Sequence, residues 1–149
     1  MSYLRGHRAE ATAALIATLA HAGQVDQGGA PYIDHPRRVA AHLVHPTWQA
    51  VTVAWLHDVV EDTTVTLAAI AETFGPQIAE AVDALTHRRG ESRIEYYARV
   101  RANPLALQVK AADIADNLDP ARLAVLDEAT ARRLQRKYDE AREHLGLVA

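Results

Sequence analysis

No stretch of this chain sustains the two-residue alternation of apolar and polar side chains that a half-buried β-strand needs. Its apolar residues recur instead at three- and four-residue intervals, the spacing of a helix face. The punctuation agrees. Thr47, Thr66 and Ser92 each precede an apolar-periodic run, where a hydroxyl can accept a backbone N–H and cap a helix. Gly75-Pro76 joins a residue that ends helices to one that starts them. The pattern predicts an all-α bundle of about seven to eight helices. The first runs from about Ser2 to Ala22. The second has Asp34 as N-cap and Pro36 in its first turn. The third starts at Thr47 and carries WLHDVVED. LAAIAETF, PQIAEAVDALTH, RIEYYARVRA and PLALQVKAADIADNL follow, and the last helix covers roughly Asp127 to Leu145. Between the first two, GQVDQGGAPYID reads as an irregular loop.

A length of 149 residues suits one domain, 1–149, with its own core. The formal charge of −3 gives no general electrostatic reason to bind nucleic acid or an anionic membrane. The absence of cysteine excludes disulfides and thiolate metal sites, and fits a cytoplasmic protein. Any metal must use His and carboxylate ligands, and eight histidines are available. Arg5, His7 and Arg8 ahead of ATAALIATLAHAG imitate a signal peptide, but Glu10 interrupts the run and its apolar residues suit one face of an amphipathic helix. No segment is long and apolar enough to span a membrane. The oligomeric state is left open.

The stretch WLHDVVEDTT, Trp55 to Thr64, is the chemical anomaly. On a continuous helix His57 lines up with Glu61, and Asp58 with Asp62. The acids would then crowd one another near the negative end of the helix dipole, each effect costing a few tenths of a kcal/mol up to ~1. A bound divalent cation would relieve both. Imidazole with carboxylate suits Mn²⁺, Fe²⁺, Co²⁺, Ni²⁺ or Zn²⁺ better than Ca²⁺. Adjacent ligands do not close a site, so partners must come from elsewhere. His35 stands at a helix start, and Asp113 lies in a largely apolar helix. Lys110, Asp113 and Asn117 share a face there, an expensive trio in apolar surroundings unless it points at a site. Arg88 and Arg89 in the turn after ALTH, Lys110, and Lys137 on the last helix are the candidate cations for a phosphate. His21, His42, His45, His87 and His144 have no distinguishing context and read as structural or solvated.

Together, PYIDHP, LHDVVEDT and VKAADIADNLDP resemble the HD-domain metal-dependent phosphohydrolases. The resemblance is greatest to the small alarmone hydrolases and to the hydrolase module of bacterial alarmone synthetase–hydrolases, and covers roughly Ala20 to Pro120. It implies an all-helical fold and a divalent metal, usually Mn²⁺, held by His35, His57, Asp58 and Asp113. It implies that Glu61 and Asp62 orient or deprotonate the attacking water, and that Asn117 lies near a nucleotide sugar. The implied reaction is hydrolysis of a phosphorylated nucleotide, with removal of the 3′ pyrophosphate of guanosine 3′,5′-bis(diphosphate) as the family's example. One segment departs from the pattern. Such hydrolases carry a basic pair in the loop before PYI-HP, where this chain has Val25, Asp26 and Gln27. The resemblance therefore carries the reaction and leaves the substrate open. The alternative is a metal-stabilised, nucleotide-binding helical module without turnover.

Overall fold

The computed structural model describes residues 2–147, and among them the regular elements are all helices. In chain order they are α1 (Gly6–Ala20), α2 (Asp34–Ala41), α3 (Trp48–Leu56), α4 (Val59–Asp62), α5 (Leu67–Phe74), α6 (Pro76–Leu85), α7 (Arg93–Ala102), α8 (Pro104–Asn117), α9 (Pro120–Leu123) and α10 (Glu128–Leu145). Eight of these run to eight residues or more; α4 and α9 are single turns of four residues. Only one isolated bridge, Val25 to Pro31, interrupts the helical pattern among the described residues.

Local chemistry sets most boundaries. Thr47, Thr66, Ser92, Asn103 and Asp127 each accept a backbone N–H two or three residues into the helix that follows. Ser92 and Glu95 complete a reciprocal capping box. Gly75 adopts φ 89°, ending α5, and Pro76 opens α6 directly. Asp34 does not cap α2. It lies inside the first turn and pairs with Arg37 at 2.7 Å, while Ile33 takes the capping position.

The helix expected through WLHDVVED is broken at His57–Asp58. In a continuous helix the Ala54 carbonyl would accept from the Asp58 N–H. Here it accepts from the His57 ring at 2.7 Å, and the chain restarts as α4 with Asp58 at its cap. Glu61 and Asp62 therefore occupy the first turn of a new element. The dipole conflict expected of a long helix's end does not arise, whereas the crowding of Asp58, Glu61 and Asp62 does.

Helix α8 is the axis of the bundle, packing against α2, α3, α6, α7 and α10. Helix α1 lies against α3 through Ala9, Ala13 and Ala17, a fully buried stripe at four-residue spacing that lets the two backbones approach closely. The consequence for the site is that the end of α3 is pressed onto α8, opposite the buried acids of that helix. A bulky residue in the stripe would force the helices apart. Ala13→Leu should lower stability by ~1–3 kcal/mol, read as a reduced urea midpoint with an unchanged denaturant slope.

Candidate active site

Four side chains from three separate segments meet between α2, α3 and α8. His35 is in the first turn of α2, His57 and Asp58 form the break after α3, and Asp113 lies on α8. His35 Nε2 is 2.9 Å from Asp113 Oδ1 and 3.9 Å from Asp58 Oδ2. His57 Nε2 is 3.0 Å from Asp58 Oδ2 and 3.5 Å from Asp113 Oδ1. His35, His57 and Asp113 are each no more than 5% exposed.

The tautomers follow from what each ring's other nitrogen touches. A carbonyl oxygen only accepts, so His57 Nδ1 carries the proton it donates to Ala54. His35 Nδ1 donates to Asp116 Oδ2 at 2.6 Å. Both rings therefore turn Nε2 toward the two carboxylates, and each, when neutral, offers a lone pair there. His57 Nε2 is buried and makes no hydrogen bond, despite its closeness to Asp58. His35, His57 and Asp58 offer ligand atoms within 4.8 Å of one another, with Asp113 beside them, and these residue types fit a divalent cation. The same surplus of negative charge is visible in the basicities. Burial disfavours the charged form of His57, yet Asp58 and Asp113 outweigh it and hold its pKa well above the ordinary value. His35 is raised as well, with burial opposed by hydrogen bonds to Asp113 and Asp116.

A second layer holds the first. Asp116 is fully buried on α8, three residues beyond Asp113 and on the same face. Its Oδ1 accepts from Arg38 Nε at 2.8 Å and its Oδ2 from Arg122 Nη1 at 2.9 Å as well as from His35. Burial acts to raise the Asp116 pKa, but the bonds from His35 and Arg38 and the charge of Arg122 bring it to about 2. Tyr32 donates its hydroxyl to Asp58. Lys110 Nζ pairs with Asp113 Oδ2 at 2.9 Å, and Asn117 Nδ2 donates to Asp113 Oδ1 at 3.1 Å.

The acidic pair divides. Glu61 Oε1 accepts the His87 backbone N–H at 2.7 Å, which pins it to the turn after α6. The Asp62 carboxylate stays within 4.8 Å of those of Asp58 and Glu61. Burial, then Asp58, then Glu61 raise its pKa.

A cleft of about 740 Å³ opens on this cluster, lined by His35, Asp58, Asp62, Asp113 and Asn117, with Lys110 and Lys137 at one side. A smaller recess of about 260 Å³ shares Asp58, Glu61, Lys110 and Lys137 with it. Arg88 and Arg89 line neither. Arg88 turns back onto Asp83 at 2.9 Å, and Arg89 is exposed. Tyr96 and Tyr97 are both buried and border the recess.

Sequence reasoning passed over Asp116, Arg38, Arg122 and Tyr32. The three-residue spacing of Asp113 and Asp116 was a usable signal for the first. His21 is also more than a solvated residue: it is buried, and its Nδ1 donates to Gln24 Oε1 at 2.8 Å, while Gln24 Nε2 donates to the Asp62 carbonyl at 3.0 Å. Asp26 is no bare charge. It accepts the Gly28 and Ala30 backbone N–H groups and pairs with Arg122 at 3.5 Å.

The Asp116 contacts make two predictions. Asp116→Asn should weaken divalent-metal binding by about 10–100-fold, read by calorimetric titration. Because its pKa is depressed to about 2, Asp116 adds stability above the ordinary carboxylate pKa that is lost as pH falls through that range. Acid unfolding of Asp116→Asn should therefore show a shallower loss of stability below about pH 4 than the wild type.

Comparison with known proteins agrees with this geometry. A family model described as the HD domain matches residues 13–140. A guanosine-3′,5′-bis(diphosphate) 3′-pyrophosphohydrolase of Haemophilus influenzae is 38% identical over 95 residues, 58% of this chain and 14% of that protein. A probable GTP pyrophosphokinase of Mycobacterium leprae is 33% identical over 145 residues, 90% of this chain and 17% of that protein. The chain thus spans less than a fifth of the length of either relative. A solved structure of a metazoan ortholog of SpoT, which hydrolyzes ppGpp and plays a role in starvation responses, has a TM-score of 0.69 at 22% identity, covering 99% of this chain and 100% of that one. That structure supports the all-α fold, and the family match covers the site from both sides in sequence. With its model matching most of the chain, and with His35, His57 and Asp58 grouped as a divalent metal could use them, the chain belongs to the HD domain family.

Proposed function

We propose that this chain is a metal-dependent phosphohydrolase acting on a phosphorylated nucleotide. The observation that carries the reading is the convergence of two His Nε2 lone pairs with Asp58 and Asp113 at the floor of a cleft whose wall bears Glu61 and Asp62. Mn²⁺ is the ion the residue set and the family resemblance favour, held by His35, His57, Asp58 and Asp113. When bound, such an ion supplies a Lewis acid that acidifies water and polarises a phosphoryl oxygen.

The chain's own residues have separate tasks. Asp62, with its raised pKa and no hydrogen bond to its carboxylate, is the group suited to take a proton from the attacking water. Glu61, fixed by the His87 N–H, is suited to orient that water. Lys110 and Lys137 supply positive charge for the phosphoryl oxygens. Asn117 also accepts from Arg122 at 3.0 Å, which fixes its amide at the cleft wall where a sugar would lie. The relatives named for guanosine 3′,5′-bis(diphosphate) hydrolysis put that compound among the substrates to try.

The division between the acids is testable. With Mn²⁺ present, Asp62→Asn should lower kcat by about 100-fold or more and remove the acidic limb of the pH–rate profile. Along that limb activity falls as the Asp62 carboxylate takes up a proton and ceases to act as a base. Glu61→Gln should lower kcat yet keep the limb. Equal turnover of either variant and the wild type would remove the corresponding residue from the reaction, and nucleotide binding without release of phosphate or pyrophosphate by the wild type would favour a binding module.

A further inference from the structure

The cations around the cleft are unequally available. Arg38, Lys110, Arg122 and Lys137 line it. Arg38 is committed to Asp116 at 2.8 Å, and Lys110 to Asp113 at 2.9 Å. Arg122 is committed twice, to Asp116 at 2.9 Å and to Asp26 at 3.5 Å. Among the described residues, no carboxylate lies within ion-pair distance of Lys137. Its ammonium sits over the Tyr138 ring, 5.1 Å from the centroid. Burial, Lys110 and Arg93 all act to lower its pKa, so an anion beside it would be doubly favoured.

The rest of the wall offers little to a second anion. Val25, Ala30, Val125, Leu126 and Leu134 make it apolar, and Asp26 and Asp119 add negative charge. A distal phosphate would have to draw Arg122 away from Asp26. That exchange leaves a carboxylate unpaired at the cleft, and a like-charge juxtaposition of this kind costs binding. A single phosphoryl group between the metal ligands and Lys137 meets no such obstacle. Its uncharged remainder would face the apolar wall.

We propose that Lys137 is the phosphate-receiving, specificity-determining residue of this cleft, and that the Asp26–Arg122 pair selects against additional phosphates. The preferred substrate class is then a nucleoside monophosphate. The assignment deepens the phosphohydrolase reading and rests on it.

Guanosine monophosphate and guanosine 3′,5′-bis(diphosphate) test it, because they share a base and differ in charge. Two readouts separate the two levels of the claim. The first is release of phosphate and pyrophosphate by the Mn²⁺-loaded wild type. The second is calorimetric binding of each compound to the Mn²⁺-loaded Glu61→Gln protein, which slows turnover and keeps Lys137, Arg122 and Asp26. The monophosphate should be preferred by about tenfold or more in kcat/KM and should bind at least as tightly. Lys137→Met should weaken monophosphate binding by about tenfold, while Lys137→Arg should restore most of it. Asp26→Asn should improve bis(diphosphate) binding several-fold by freeing Arg122. Should Glu61→Gln fail to fold, the kcat/KM ratio and the Lys137 and Asp26 variants in the wild-type background decide the matter. Preference for the bis(diphosphate), or indifference to Lys137→Met, overturns the selectivity and leaves hydrolysis standing. No release from any nucleotide overturns the hydrolase reading, and the substrate assignment falls with it.

Discussion

Two imidazoles and two carboxylates face one another inside a helical core, with both ring lone pairs turned inward. Much of the surrounding structure exists to hold that arrangement. The Ala54 carbonyl fixes one ring, and its use by His57 coincides with the break between α3 and α4. The break then places Glu61 and Asp62 on a separate turn. Asp116 fixes the other ring, and because an unpaired buried carboxylate is costly, Arg38 and Arg122 must accompany it. A few side chains from distant segments thus set the floor of the cleft and the supply of charge around it.

Arg122 links parts of the molecule that would otherwise be independent. It touches Asp116 behind His35, Asn117 on the cleft wall, and Asp26 in the loop before α2. The loop is shaped by Asp26 as well, whose Oδ1 accepts two backbone N–H groups. One acid therefore builds the loop and neutralises a cleft cation. An anionic ligand that recruits Arg122 must disturb the loop, the Asn117 amide and the His35 support together.

Features governed by neighbours along the chain were legible in the sequence. Thr47, Thr66 and Ser92 cap because a hydroxyl two or three residues from a free N–H needs no distant partner. The all-α class followed from periodicity, and the meeting of His35, His57, Asp58 and Asp113 from recognising His, His-Asp and Asp in order. Features set by side chains reaching across the fold were not legible. The His57 bond that interrupts α3 looks like ordinary helix in sequence, and His35 and Asp116 lie 81 residues apart. Asp119-Pro120 was read as an end although it also opens the short helix α9, its carboxylate capping Ala121. Arg88 was available to a phosphate only on paper, since Asp83 five residues earlier takes it.

The central claim is that the inward lone pairs and carboxylates form one site for a divalent cation. Calorimetric titration of the metal-free protein with Mn²⁺ at several pH values tests it most directly, because it counts the ions bound. The account predicts one ion per chain, a melting temperature that rises with free metal, and affinity that weakens as pH falls, since a protonated imidazole cannot bind the ion. More than one ion per chain, or no binding by a folded protein, would contradict it.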